Sequence, residues 1–459
     1  MTSLPTDIFR MLSRTTRPEV PERHLRRAVV LGGSIAGLLA ARVLADHADE
    51  VVVVDRPGAG VPQRHQVHAL LPGGRAQIER WFPGFTAEAL AAGATLSMPA
   101  GIEAWVDEER AVSTPNAILL NATRPFLEAH LRRRALALPN VTATTGAATG
   151  LDYEDGQVSA VRLGTDRLTA DFVVDAMGRS SRLADWLARD GWEAPELERM
   201  RIDIHYATAY LRRSDPHPAL TAAISRCSPT YPRQHISALN AVEDNRWTVL
   251  LAAYGDDRPS SDPGDFRARC AHLPAVFGQI AEREPIDHIE TYHQGDARRR
   301  HYERVTRLPA RLVSLGDAVA SFNPIYGQGM SSAALQASCL SEYLCGRPDL
   351  TEPATAFFRL QAVVVDAAWT LSTSGDAQRI ETTRPAFPVR LQRALISQVL
   401  RAARSDVVVG TAFNDVTFMN THPATLATPS LLARAVLTNL RHRRAPEPAV
   451  PDPVPARTA

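Results

Sequence analysis

Two glycine-rich turns carry the clearest chemistry in this sequence. Gly32-Gly33-Ser34-Ile35-Ala36-Gly37 follows the apolar run Ala28–Leu31 and precedes LLAARVLADHA, a helix-forming stretch. A dinucleotide site needs a glycine for the tight turn, a small residue where backbone meets pyrophosphate, and a glycine where helix packs on strand. Gly32, Ser34 and Gly37 fill those places, with Ser34 standing where the middle glycine usually does. The helix beginning near Ile35 offers free N–H groups and a partial positive charge to phosphate oxygens. A second apolar run, Val51–Val54, ends at Asp55-Arg56. Asp55 lies about 20 residues beyond the turn, where an acid accepts ribose hydroxyls.

The second turn lies far downstream. The apolar run RLVSL ends at Gly316-Asp317 and is followed by AVASFN, Pro324-Ile325-Tyr326-Gly327-Gln328-Gly329 and Met330. A buried strand ending in Gly-Asp brings one carboxylate near a ribityl or phosphate oxygen. The Gly327-x-Gly329 element then aims another helix N-terminus at a second electron-rich centre. A nicotinamide enzyme has no use for that second site, whereas a flavin does, because its reduced ring carries negative charge that a helix N-terminus stabilises. A structural Gly-rich connection is the plainer alternative.

These turns need strands and helices to hold them, and the chain supplies an alternation of both. The strand Ala28–Leu31, the glycine turn, a helix and the strand Val51–Val54 make one βαβ unit. Thr123–Leu138 reads as a helix stopped by Pro139, and Gln157–Gly164 with Leu168–Asp175 as a strand pair. From Arg201 to Ile289 the runs RIDIHYATAYL, RQHISALNAV and RWTVLLAAY alternate in the manner of a mainly antiparallel sheet. Ser331–Cys345 reads as a helix, and the stretch from Pro353 to about Arg441 as mostly helical. The nucleotide-type elements are thus split around a sheet domain.

Composition narrows the classes of function. The chain has 459 residues, 45% hydrophobic and 22% charged, and 51 basic against 50 acidic side chains leave a formal charge of +1. This is the balance of an ordinary globular protein of two or three lobes, with no global field for nucleic acid or an anionic membrane. Every basic residue counted is arginine. Schiff-base, P-loop and other lysine-dependent chemistry is therefore excluded. Cys227, Cys270, Cys339 and Cys345 show no metal spacing and read as reduced thiols, so no metal is expected. Met1–Arg27 lacks a signal-peptide core, and the longest apolar stretch, Ala28–Ala41, is too short to span a bilayer. A cytoplasmic protein with no membrane contact is expected.

The elements GGSIAG with its following acid, DAMGRSS (Asp175–Ser181) and GDAVASFNPIYGQG resemble the FAD-dependent monooxygenases of the aromatic-hydroxylase (group A) type. The phrases PQRHQVHALL (Pro62–Leu71), TRPFLEAHLRRR (Thr123–Arg134), RIDIHYATAYLRR and RLVSLGDAVASFNPIYGQGM carry a nearer likeness to bacterial epoxidases and hydroxylases of polyketide pathways. The likeness covers Ala28 to about Leu440. It implies an α/β fold: a glutathione-reductase-like, Rossmann FAD-binding domain, a mixed, mainly antiparallel β-sheet substrate domain, and a helical C-terminal region. The expected divisions are a flexible arm (1–26), the FAD domain (27–190 and 296–345), the substrate sheet (191–295), the helical region (346–441) and a disordered Pro-rich tail (442–459).

Carried over to this chain, the resemblance places Gly32, Gly33, Ser34, Ile35, Ala36 and Gly37 at the pyrophosphate and Asp55 with Arg56 at the adenosine ribose. Arg124 would sit beside the phosphate or ribityl chain, and Gly316-Asp317 at the ribityl or pyrophosphate. Gly327, Gln328, Gly329 and Met330 would lie under the flavin ring, with Pro324 and Tyr326 bordering its oxygen-reacting C4a face. The implied activity passes one oxygen atom from a flavin C4a-(hydro)peroxide to a lipophilic small molecule, by epoxidation or hydroxylation, with Baeyer–Villiger insertion left open. The implied cofactors are FAD, NAD(P)H as electron source and O2 as co-substrate. Met177 stands before Gly178 where the family usually has an acid tied to FAD and NADPH, so a separate flavin reductase is an alternative partner.

Oxygen transfer of this kind needs a dry pocket and a held proton rather than a protein nucleophile. His65 and His68 in RHQVH, and Tyr206 and Tyr210 on the substrate sheet, are the candidates for polar work; core packing explains the tyrosine alternation equally well. Arg298-Arg299-Arg300-His301 reads as a solvated surface, Asp152, Glu154 and Asp155 as a hairpin turn around Gly156, and His217 between two prolines as a lone loop histidine. The related flavin halogenases rely on a lysine, which this chain lacks. A flavin-dependent double-bond reductase of the same fold and a non-catalytic flavin-binding redox sensor are the alternative readings.

Overall fold

The computed structural model of the protein describes residues 4–20, 22–56, 58, 63–213, 219–228, 231, 235–380 and 386–444. His217 and its flanking prolines, Pro62 at the head of its motif, and the tail from 445 onward lie outside the described residues. Two sheets organise the molecule. Val51–Val54 and Ala28–Leu31 are apolar residues, mostly β-branched, with almost no exposure. Strands apolar on both faces must be covered on both, which is the habit of a parallel sheet. Five strands form it, in the order Leu312–Ser314, Phe172–Asp175, Leu25–Leu31, Ala48–Asp55 and Val141–Thr145. Every neighbouring pair is parallel.

The second sheet has eight strands among the described residues. Its centre is Ile286–Arg300, Leu197–Arg212, Arg246–Tyr254 and His235–Val242, paired antiparallel. Ala222–Arg226 joins Ile102–Val106 in parallel, which makes the sheet mixed. One face packs on the helices Pro263–Ala271 and Ala275–Arg283 through a separate core that includes Trp247, Phe266 and Phe277. The other face, carrying Tyr206, Leu250 and Tyr292, looks toward the parallel sheet's domain across a shared cavity. Alternation along each strand divides the two faces.

Two helices connect the sheets to the turns. Ile35–His47 buries nearly its whole circumference against the parallel sheet. Gly329–Cys345 packs against it and is also buried almost throughout. Its buried Gln336 ties it to neighbouring segments: Gln336 Oε1 accepts from Gly316 N at 2.8 Å and from Gln361 Nε2 at 3.0 Å. The long helix Thr355–Ile380 and the helices Phe387–Ala402, Val407–Thr417 and Pro429–Arg444 follow.

Several local expectations need correction. The N-terminal arm is not free: Pro5–Leu12 is an amphipathic helix whose Phe9 and Leu12 are buried in the main core, and the first strand begins at Leu25. Leu168–Asp175 is not one strand. Asp166–Thr169 completes a three-stranded antiparallel sheet, the chain turns at Ala170-Asp171, and Phe172–Asp175 enters the parallel sheet. Asp171 forces the break by accepting the backbone N–H groups of Arg26 and Arg27. Arg299, Arg300 and His301 are not a solvated surface but are 6%, 8% and 2% exposed. Arg299 pairs with Glu303 and Asp366, and His301 sits between Glu198 and Glu303, so the carboxylates offset the cost of burial. The hairpin at Asp155-Gly156 forms with both residues at positive φ, the geometry of a tight hairpin turn.

Candidate active site

The first glycine turn is shaped by three close backbone approaches. Gly32 has φ +110°, and a side chain there would meet the Ala176 carbonyl oxygen at 2.3 Å. A Cβ on Gly33 would meet Asp55 Oδ2 at 2.4 Å, and one on Gly37 the Gly32 carbonyl oxygen at 1.8 Å. Ser34 precedes the helix but its hydroxyl caps no N–H. Instead it donates to Glu128 and accepts from Arg124 Nη2 at 3.1 Å, while Arg124 Nε reaches Glu128 at 3.0 Å. The helix Arg124–Leu136 is thereby tied to the glycine turn, and its Arg132 pairs with Asp55 at 3.3 Å. The first N–H groups of Ile35–His47 carry no side-chain cap.

The second turn has the same character. Asn323-Pro324-Ile325-Tyr326 makes a short 3-10 turn, Gly327 adopts φ +68°, and the helix from Gly329 starts without a side-chain cap. Both helix starts open onto one cavity of about 830 Å³. Gly32, Gly33, Ser34, Ile35, Ala36, Asp55, Arg56 and Arg124 line it from one side, and Asp317, Pro324, Gly327, Gly329 and Met330 from the other. His68, Tyr206 and Met177 also reach the wall.

Six residues named from the sequence are placed elsewhere. Gly37 and Gly316 pack the helix Ile35–His47, Gly316 with its Cβ position 2.6 Å from Ala36 Cβ. Gln328 donates to the Thr417 carbonyl at 3.1 Å. Tyr210 donates to the His65 carbonyl at 2.8 Å and stacks on His288 with ring centroids 4.4 Å apart, which locks the loop carrying His65 onto the sheet. Tyr326 is directed at Asp376, 3.3 Å away, on the helix Thr355–Ile380. His65 accepts from its neighbour Arg64 and is not on the cavity wall.

The fold adds residues that sequence reasoning passed over. Arg179 bridges to Asp296 and reaches Ser321 Oγ at 3.1 Å, and Arg298 shares Asp296 at 3.0 Å. Gln66 accepts from Thr208 Oγ1 at 2.7 Å, and Tyr292 donates to Gln294 at 3.0 Å. Asn323 accepts from Tyr206 Oη and donates to Asp376 at 3.0 and 3.1 Å; Tyr254 and Tyr326 turn their hydroxyls toward the same carboxylate. Arg179, Gln66 and Asn323 sit inside the motifs quoted above, so proximity to those motifs was a usable signal. Asp376 lies mid-helix without any local pattern. Burial pushes the Asp317 carboxyl above its ordinary range, while Arg124 and Arg179 oppose the shift. Asp175, wholly buried behind Met177, is likewise raised by burial and held by Ser181, Ser314 and the Met177 N–H.

His68 Nδ1 lies 2.7 Å from the Gln66 carbonyl oxygen, to which it donates. Burial, then the nearby Arg124 charge, pulls its pKa from 6.5 down to about 3. The ring is neutral at neutral pH and leaves Nε2 as an acceptor. Because the folded pKa lies below the unfolded one, the unfolded chain takes up the proton first as pH falls. Stability is thus lost on acidification from about 6.5 toward 3, by up to about 1.4 kcal/mol per pH unit. His68→Asn is expected to flatten that part of the profile, read from urea midpoints between pH 7 and 4. His47, brought down to about 4 mainly by burial, retains a residual slope. An unaltered profile would show that His68 titrates normally.

These residues fit a flavin dinucleotide. Among the described residues, Cβ atoms on Gly178 and Gly329 would meet no neighbouring atom within 4 Å, so both backbones border open space. Two uncapped helix starts and two arginines supply positive potential for phosphates and for an electron-rich ring, and Asp55 and Asp317 supply acceptors for hydroxyls. Comparison with known proteins agrees. The family described as FAD binding domain matches residues 81–345. Protein Rv3254 of Mycobacterium tuberculosis is 31% identical over 461 residues, covering 93% of this chain and 96% of that protein. Kynurenine 3-monooxygenase of Salinispora tropica is 24% identical over 383 residues, covering 77% and 80%. Among solved structures, the flavin-dependent brominase Bmp2 superposes with a TM-score of 0.63 at 16% identity, covering 90% of this chain and 99% of that one. By cavity, turn geometry and family match, this chain belongs to the FAD-binding-domain family, and FAD is its cofactor.

Proposed function

We propose that the protein is an FAD-dependent monooxygenase that transfers one oxygen atom of O2 to a lipophilic small molecule, by epoxidation or hydroxylation. The observation that carries this reading is the single cavity bounded by both helix starts and by the sheet. It joins an end lined by the first glycine turn and Arg124 to an end walled by Leu250, Phe322, Tyr206 and Tyr292. Bound there, FAD would supply two-electron reduction by NAD(P)H and activation of O2. Gly32–Ala36 and Arg124 would hold its pyrophosphate, Asp55 and Arg56 the adenosine ribose, and Asp317 the ribityl chain. Pro324, Gly327, Gly329 and Met330 would support the ring.

The protein's own part is positioning and the exclusion of water. Tyr206 keeps its proton, since burial pushes its pKa well above 10, and its hydroxyl is committed to Asn323. Neutral His68 offers Nε2 as an acceptor to a substrate hydroxyl. Neither group is poised as a strong base, which favours epoxidation of an alkene over hydroxylation that begins by ionising a phenol. A polyketide-like intermediate suits the apolar end of the cavity. The relative from Salinispora tropica, a monooxygenase, supports the reaction class; halogenation is disfavoured because no lysine is available. Met177, at the cavity wall, leaves a separate flavin reductase as an electron donor.

The test is turnover of candidate polyenes, phenols and ketones under 18O2 with NADPH, with and without an added flavin reductase. Label is expected in the product, with NADPH consumed only when O2 is present. Anaerobic turnover that saturates a double bond would replace this reading with the reductase. A yellow protein whose NADPH oxidation yields only peroxide with every substrate class would leave the sensor.

A further inference from the structure

The outer face of the substrate sheet carries a cluster that the cavity does not use. His205 and His293 are cross-strand partners on Leu197–Arg212 and Ile286–Arg300. They alternate with Tyr206, Tyr292 and Gln294 of the cavity wall, so they project from the opposite face. The ladder is irregular between Arg201 and Ile204, and in that bulge Asp203 takes φ +45° and meets both rings. Its Oδ1 is 3.0 Å from His293 Nε2 and 3.5 Å from His205 Nε2. The two imidazoles are stacked, with centroids 4.3 Å apart.

We propose that Asp203, His205 and His293 form a binding site for a divalent transition-metal cation of the zinc type. Ligand atoms about 2.0–2.1 Å from a tetrahedral ion are separated from each other by roughly 3.3–3.4 Å, which the two distances to Oδ1 bracket. All three ligand atoms lie within 4.8 Å of one another, so small side-chain rotations close the set. His205 Nε2 is buried and makes no hydrogen bond, so in the Nδ1–H tautomer its lone pair is free for an ion. Arg201 Nη2 holds the other carboxylate oxygen at 3.2 Å, orienting Asp203 while leaving Oδ1 to the ion. The half-exposed ring of His293 admits the cation and one or more waters from solvent. Two imidazole nitrogens and one carboxylate oxygen match the preference of zinc for nitrogen and oxygen donors. The Arg258 charge near His205 opposes the ion and sets a ceiling on affinity. The ligands come from strands 90 residues apart, which is why no spacing in the sequence announced them.

Calorimetric titration of the purified FAD-loaded protein with ZnCl2 tests the site. One saturable event with a Kd of roughly 10 μM or tighter is expected. It should weaken at least tenfold in His293→Gln and in Asp203→Asn, a change that keeps a residue tolerant of positive φ. Arg201→Ala should retain binding. Circular dichroism melting checks that each variant is folded. Absence of a saturable event would overturn the proposal and leave an ordinary ion-paired cluster. Zinc binding untouched by both ligand variants would place it elsewhere and overturn the proposal equally.

Discussion

Gly37→Ala is expected to yield protein that no longer retains FAD. The added methyl would lie 1.8 Å from the Gly32 carbonyl oxygen and 2.9 Å from its carbon. Both are backbone atoms and cannot rotate aside. The start of the helix Ile35–His47 must then lift from the strand by more than an ångström. That carries the uncapped N–H groups off the phosphate position and distorts Gly32, already held at φ +110°. A loss of at least 100-fold in FAD affinity follows, about 3 kcal/mol, read from fluorescence titration and from flavin absorbance per mole of protein. Gly329→Ala is the counterpart. Its methyl meets no neighbouring atom among the described residues and the position is helical, so the protein itself should be as stable as before, while any loss of FAD affinity reports crowding by the cofactor alone. A fully flavinated Gly37→Ala protein would mean that the turn is only a structural connection.

Removing the Asp376 carboxylate is expected to be the most damaging single change away from the glycine turns. Asp376 is 1% exposed and is the shared acceptor for Asn323 Nδ2, Tyr254 Oη and Tyr326 Oη. Burial raises its pKa, an effect opposed by Asn323 and by Arg379. Alanine would leave three buried donors without their acceptor and free Asn323, which caps the turn by accepting from Ile325 N and also accepts from Tyr206. A cost on the order of 3–5 kcal/mol follows for such a network. At about 2 °C per kcal/mol for a chain of this size, Tm should fall by roughly 6–10 °C. Asp376→Asn, which keeps an acceptor for the tyrosines, should lose less than half as much. Because Asn323 joins this network to the cavity wall, turnover should fall in Asp376→Ala even at temperatures where the protein stays folded. Unchanged melting and turnover would show that the turn stands without the carboxylate.

The legible part of this protein was local. Gly32, Ser34 and Gly37, with Asp55 at the end of the next strand, announce a dinucleotide turn because a tight βα connection constrains a handful of adjacent residues. Gly327 and Gly329 announce the second turn for the same reason. Alternation in RIDIHYATAYL and RWTVLLAAY likewise foretold a sheet, since a strand's period is a local property. Arg298–His301 was misread because charged residues are usually solvated. Glu303 lies four residues from Arg299, but only the fold shows Glu198 and Asp366 arriving from other segments to complete the pairing. Tyr326 and Gln328 stand in the right motif but turn toward Asp376 and Thr417, which belong to helices the motif cannot see.

The chain's own order of residues thus determined that two glycine turns exist, what cofactor class they suit, and which lysine-based reactions are barred. Tertiary structure alone decided which side chains share the cavity with those turns, and it assembled Arg179 with Asp296, Asn323 with Asp376, and Asp203 with His205 and His293. The physical reason is range. Turn geometry and strand period are set by neighbours along the backbone, whereas the partners of a buried charge or an imidazole are set by strand register and helix docking across scores of residues.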